Sequence, residues 1–381
     1  MDALLRRRDI FSLRRFHFSF PPRFLALVLL SGCFVAWDET IYADEAVSVS
    51  TFAGGTRGHA DELGAAARFY YPEGLAMDAA GNLYVADNGN ERIRKISPEG
   101  EVSTLAGTGA SGLVSGPGNV AQFSSPKGLA LDAAGNLYVA DSNNHRIRKI
   151  SPEGAVSNFA GGGITGPLGG GFVNGQGAEA RFYYPEGLAI DAAGNLYVAD
   201  TDNHRIRKIS PQGVVSTFAG GGLSGSIGGG FANGQGTEAR FRYPQGLAID
   251  AEGNLYVADS GNHRIRKISP EGEVASFAGN GMPGYADGPG HTAHFHSPRG
   301  LVLDTAGNLY VADSWHNRIR KISPGREVST LAGERISGGY ANGPGHRALF
   351  SSPRGMAINA EGNLYVADSN NHRIRKIVFE K

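Results

Sequence analysis

A unit of about 55 residues is written six times in this chain, and that repetition constrains the fold more than any single residue does. The line NLYVAD, a short turn and RIRKI run from Asn82 to Ile96, Asn136 to Ile150, Asn195 to Ile209, Asn254 to Ile268, Asn308 to Ile322 and Asn363 to Ile377. A Pro-x-Gly opens each copy, at Pro72, Pro126, Pro185, Pro244, Pro298 and Pro353, with spacings of 54, 59, 59, 54 and 55. With 57 Gly in 381 residues, a helical protein is a poor fit. The absence of a Gly-x-y period excludes collagen, which leaves many short strands joined by glycine turns.

Each copy reads as four such strands. In the first, Gly74 to Asp78 is a short apolar strand and Ala79-Ala80-Gly81 a turn that Asp78 can cap. Asn82 to Asp87 alternates Leu83 and Val85 with Tyr84 and Ala86. Arg92 to Ile96 is the third strand and Glu101 to Ala106 the fourth. Four antiparallel strands with tight turns make one propeller blade. The sixth copy stops after its third strand, at Lys381. Val47 to Gly54 matches Val215 to Gly220, so the missing strand lies at the other end. The prediction is an all-β, six-bladed β-propeller over residues 47–381. Strand 47–53 completes the last blade and removes two sheet edges. Deleting residues 47–54 is expected to cost far more than deleting residues 1–40.

Residues 1–46 differ from the rest. Arg6, Arg7, Arg8, Arg14, Arg15 and Arg23 precede an apolar run from Phe24 to Trp37. That order reads as a secretory signal with a short tether, and the run is shorter than the ~20 residues of a spanning helix. Leu30-Ser31-Gly32-Cys33 resembles a bacterial lipobox, which makes Cys33, the single cysteine, a candidate for lipid attachment. The apolar Phe34-Val35-Ala36-Trp37 departs from that pattern, and ordinary cleavage nearer Ala43 is the alternative. Either route implies export to the cell envelope or beyond, with any membrane contact made through a lipid anchor or an uncleaved leader.

The repeated Pro-x-Gly-Leu-Ala, Gly-Asn-Leu-Tyr-Val-Ala-Asp and Asn-His-Arg-Ile resemble the NHL repeat over nearly all of residues 47–381. Blade five departs with Trp315-His316-Asn317, and blade one with Glu91 where others have His. The resemblance implies the propeller. It implies no single job, because proteins with this repeat include ubiquitin-ligase domains, RNA binders, receptor ectodomains and an amidating lyase.

Differences between copies separate framework from candidate site. The RIRK runs supply 18 of the 30 basic residues that follow the leader, spread evenly around the ring and matched by 30 acids. Pairing with the repeated Asp of YVAD is expected, and a zero net charge argues against a nucleic-acid partner. His145, His204, His263 and His372 occupy one position in four blades, too far apart to share a metal, and read as turn framework. His291, His294 and His296 are peculiar to one loop. With His316 and His346 they would suit zinc only if neighbouring loops converge, solvated loop histidines being the alternative. Asn174-Gly175-Gln176-Gly177 and its counterparts lack the strand–loop–helix setting of a phosphate cradle and read as ordered turns.

The residue between Pro and Gly varies most tellingly: Glu73, Lys127, Glu186, Gln245, Arg299 and Arg354. The first strand of each blade lines a propeller's channel, so these six should ring its mouth. Tyr70, Tyr71, Tyr183, Tyr184 and Tyr243 flank them. Aromatic faces beside charged groups suit a glycan, a peptide or a protein partner. A mouth of mutually neutralised side chains is the bland alternative. The leading reading is an exported, monomeric, non-catalytic binding propeller with no cofactor. The rival is a metal-dependent hydrolase or lyase, gluconolactonase-like or akin to the NHL lyase. It would need a divalent metal in the channel, and Glu73 and Glu186 are the only acids at that position.

Overall fold

The computed structural model describes residues 46–163, 169–223, 228–334 and 337–380. The leader, and with it Cys33 and the signal reading, lies outside the described residues.

Six antiparallel sheets follow one another around a channel. Blade three shows the pattern. Pro185–Ile190 is innermost, followed outward by Leu196–Asp200, Arg205–Ile209 and Val214–Ala219. The sheet of blade six runs outward through Pro353–Ile358, Leu364–Asp368 and Arg373–Phe379 to Val47–Ala53. The N-terminal strand therefore closes the ring as predicted, with Val47 opposite Phe379 and Val49 opposite Ile377.

Each blade carries the four strands predicted for it. Five sheets carry a fifth, two-residue strand on the outside, such as Gly175–Gln176 against Val214 and Val215. The glycine loops supply it: the chain leaving one blade crosses to the outer edge of the next before dropping to the channel. In blade one the counterpart is a single bridge from Leu63 to Glu101. Backbone groups of the outer strand that would face solvent are thereby paired, which covers an exposed edge. The turns follow expectation: Asp78 Oδ1 accepts from the amide of Asn82 at 2.8 Å, and Gly81 takes a positive φ of 83°.

The core lies between blades. Ala189, Tyr197 and Ala199 of blade three pack with Phe241, Leu247 and Val257 of blade four. Both faces of LYVAD are consequently buried, and the alternation of Leu83 with Tyr84 divides residues between two neighbours rather than between core and water. Phe69, Phe123, Phe182, Phe241, Phe295 and Phe350, all fully buried, wedge the interfaces where each crossing loop turns inward. Sequence reading passed over them, although an Arg-Phe or Gln-Phe pair recurs at that spacing in four copies (Arg68-Phe69, Gln122-Phe123, Arg181-Phe182 and Arg240-Phe241).

Candidate functional site: the channel mouth

A buried polar lattice fixes the face on which the candidate site lies. Asp200 ends the second strand of blade three with no exposure. One carboxylate oxygen accepts from the Tyr183 amide at 2.7 Å; the other accepts from Asn203 Nδ2 at 2.9 Å and Arg207 Nη1 at 2.8 Å. Arg207 also donates to the carbonyls of Arg181 and Val173, and its guanidinium lies between the rings of Phe172 and Phe182. Asp87–Arg94, Asp141–Arg148, Asp259–Arg266, Asp313–Arg320 and Asp368–Arg375 repeat the ion pair. The basic runs are framework, as their symmetry implied. In each run the second Arg carries the pairing, while most of the Lys sit over the Tyr of their own sheet, as Lys208 does over Tyr197.

The repeated histidines join one blade to the next. His145 Nδ1 accepts from the Tyr184 amide, His204 from Tyr243 and His263 from Ser297, each at 3.1 Å, and His372 accepts from Tyr71 at 3.3 Å. The two departures from the repeat do the same job. Glu91 Oε2 accepts from the Ser125 amide at 2.5 Å and Asn317 Oδ1 from Ser352 at 2.6 Å. An acceptor is required because the residue before each Pro holds a left-handed φ between 48° and 53°, rare for a non-glycine residue. An Nδ1 that accepts must carry no proton. Burial first, and then nearby cations, hold His263 and His372 below the ordinary histidine value; Arg242, His296 and His316 act on the first, Arg57 and Arg373 on the second.

A folded-state value below 6.5 leaves stability complete above that pH, and stability is lost as the pH falls through the unfolded value and protons bind the unfolded chain. Between about pH 7.5 and about pH 5.5 the melting temperature should therefore fall by several degrees less in the His263→Asn, His372→Asn double variant than in wild type. Asparagine already serves at Asn317 and does not titrate. Equal losses in thermal scans of the two proteins would refute this role.

The six Pro-x-Gly residues do line the mouth of one cavity of about 80 Å³. Each Gly abuts the carbonyl of the variable residue in the next blade. A Cβ on Gly187 would sit 1.9 Å from Gln245 O, one on Gly246 1.7 Å from Arg299 O, and the cycle closes with Gly355 against Glu73. No side chain fits there, which is why this glycine is identical in every copy. The variable side chains point into the shared space and are partly paired. Lys127 Nζ lies 2.5 Å from Glu186 Oε1, and Arg354 Nη1 lies 2.5 Å from Glu73 Oε1. Burial alone would raise the Glu186 carboxyl, but Lys127, Arg299 and Arg354 pull it below its ordinary value.

The tyrosines flank this ring. Tyr183 and Tyr184 stack at 5.1 Å, and Tyr184 meets His145 edge-on at 4.7 Å. Tyr70 and Tyr71 repeat the arrangement against His372, and Tyr243 pairs with His204. Tyr184 lies within electrostatic reach of Lys127 and Asp202, and Tyr71 within reach of Arg354. The structure therefore brings the flanking tyrosines and the charged ring onto one face. Asp202, which sequence reading missed, joins them: burial and then Glu186 push its carboxyl up to about 6. Trp315, 66% exposed and stacked on His296 at 5.2 Å, is a second omission, read only as a departure from the repeat.

Among the described residues, only two of the candidate loop histidines, His296 and His316, come together. His296 packs against His263 and His316, while His291 borders a groove beside Arg264 and Arg326. Among the described residues no three His, Cys, Asp or Glu side chains are placed to hold one metal ion.

Residues 69–96, 123–150, 182–209, 241–268, 295–322 and 350–377 each match the NHL repeat model. The chain belongs to the NHL-repeat β-propellers. NHL repeat-containing protein 2 of Bos taurus is 30% identical over 345 residues, which cover 81% of this chain and 47% of that protein. This NHL chain spans less than half the length of the curated relatives it matches first. An auxiliary nutrient binding protein from Bacteroides thetaiotaomicron superposes with a TM-score of 0.64 at 18% identity, over 89% of this chain and 78% of that one. A streptogramin B lyase superposes with a TM-score of 0.53 at 12% identity, over 88% and 98%. Likeness at that distance is likeness of the propeller fold alone, which fixes no single activity.

Proposed function

We propose that this NHL propeller is an exported, non-catalytic binding protein that takes a glycan, a peptide or a protein partner at its proline-side channel mouth. One observation carries the reading. The residue between Pro and Gly differs from blade to blade, and all six copies of it gather there, on a backbone held rigid by the glycine contacts and the left-handed pre-proline residues. Side chains are free to vary where the backbone is fixed, as a recognition surface requires. Strained backbone of this kind collects at ligand sites. The cavity of about 80 Å³ is well below the ~300 Å³ at which small-molecule pockets begin, so a ligand rests on the tyrosine rim rather than filling the channel. The basic and apolar leader supports export.

Both carboxylates that a channel metal would need are already engaged, Glu73 by Arg354 and Glu186 by Lys127. No specific feature of the mouth favours the hydrolase or lyase reading over binding.

Glycan and peptide arrays probed with the full chain test the proposal. A ligand found there should bind Tyr184→Ala or Tyr71→Ala at least ~10-fold more weakly, a loss of about 1.4 kcal/mol for a stacked ring. Unchanged binding by both variants would place the ligand elsewhere.

A further inference from the structure

At the six Pro-x-Gly positions cations outnumber carboxylates, and the further acid on this face, Asp202, couples to Glu186 and Lys127 rather than to Arg299. Lys127, Arg299 and Arg354 face Glu73 and Glu186, and both carboxylates are taken by Lys127 and Arg354. Arg299 is left without an ion pair or hydrogen bond among the described residues, between the neutral Gln245 on one side and the cationic Arg354 on the other. Gly246 packs on the Arg299 carbonyl and Gly300 on that of Arg354, so the two arginines enter the ring from adjacent, immobile backbones. A planar guanidinium with free donors, at the wall of a cavity of about 80 Å³, matches a small planar or tetrahedral oxyanion in both size and charge.

Resting on the reading of the mouth as a ligand site, we propose that Arg299 seats one oxyanion, a carboxylate or phosphate group carried by the ligand, while the rest of that ligand lies on the tyrosine rim. The site selects acidic over neutral ligands, because the Arg299 guanidinium offers donors that neither Glu73, Glu186 nor Asp202 takes up. Burial, and then repulsion from Arg354, outweigh the more distant attraction of Glu186 and Glu73 and lower the affinity of Arg299 for its own proton.

Thermal unfolding of the full chain at constant ionic strength tests this, with chloride replaced stepwise by acetate or by inorganic phosphate. A saturable rise in melting temperature is expected with at least one of the two, and the larger response identifies the group as carboxylate or phosphate. Arg299→Gln should weaken that response at least tenfold in concentration, and Arg299→Lys should keep part of it. Arg347→Gln, an exposed control, should keep all of it. General salting effects are common to every variant and cancel. Arg299→Gln removes a cation that has no partner, so its midpoint in chloride should match or exceed that of wild type. If it falls, the comparison of Arg299→Lys with wild type carries the test. Neither anion acting on wild type, or an undiminished response in Arg299→Gln, would overturn the proposal. Array ligands that need Tyr184 and bind Arg299→Gln normally would leave the rim reading standing and remove only this one.

Discussion

A chain that lacks residues 47–53 should lose cooperative unfolding altogether and collect in the aggregated fraction. In blade six, Val47–Ala53 is hydrogen-bonded on both sides, to Arg373–Phe379 inward and to Gly343-Pro344 outward. Val47 and Val49 enter the cluster that holds Leu331, Phe350 and Ile377, and Ala53 enters the next one beside Phe69 and Ile374. The strand therefore contributes to both interfaces of the last blade. Burying two valines is worth roughly 2 kcal/mol each, and the unpaired Arg373–Phe379 strand would add its own cost. The total approaches the ~5–15 kcal/mol that holds a whole domain together. Adding a synthetic peptide of residues 46–54 while the truncated chain is refolded should restore a cooperative melt, since the peptide supplies the strand missing between Arg373–Phe379 and Gly343-Pro344. Circular dichroism melts with and without peptide decide the matter. A truncated chain that melts as sharply as wild type would show that the ring does not depend on its clasp. Val49→Asp, which keeps the ladder but charges a residue that is 2% exposed, should fall between the two.

The clasp was legible because repetition makes an omission visible: a sixth copy with three strands, and a stray strand at the other end. The same comparison of copies picked out Pro-x-Gly, and there the variable residue and the constant glycine proved to be two halves of one contact. Other features could not be read that way. The fifth strand is two residues long and carries no alternation of its own. Its existence depends on where the crossing loop lands, which is a tertiary fact. Glu91 and Asn317 looked like departures from a histidine motif, because sequence compares side chains by type. The fold asks only for an acceptor opposite a left-handed amide. Asp202 occupies the second place of its turn, where other copies have Gly89, Asn143, Gly261, Trp315 or Asn370, and nothing local says that this place overlooks the channel. Gly89 and Gly261 are glycines there because a Cβ would strike Tyr70 in one blade and Arg242 in the other. Bulk on the turn and bulk before the proline exclude each other in those two blades, a coupling between positions 19 residues apart that a single sequence does not display.

Asp200→Ala should be the most damaging point substitution in the polar lattice. The carboxylate accepts from one backbone amide, one asparagine and one arginine. Its removal strands the Arg207 cation in a site with no exposure. Breaking a buried ion pair from one side costs about 3–5 kcal/mol, and the orphaned Tyr183 amide adds to that. In a chain of this size the melting temperature should fall by roughly 5–10 °C. The comparison with Arg207→Met distinguishes the two roles of the carboxylate. Met removes the stranded charge and keeps much of the packing between Phe172 and Phe182, so the Asp200→Ala, Arg207→Met double variant should be less damaged than the sum of the single variants. What the double variant does not recover is the share of Asp200 in holding Tyr183, and with it the rim beside Tyr184 and Lys127. Ligand binding at the mouth should therefore stay weak in the double variant even where the melting temperature returns. If binding and stability return together, Asp200 is a structural counterion only, and the buried lattice has no part in presenting the rim.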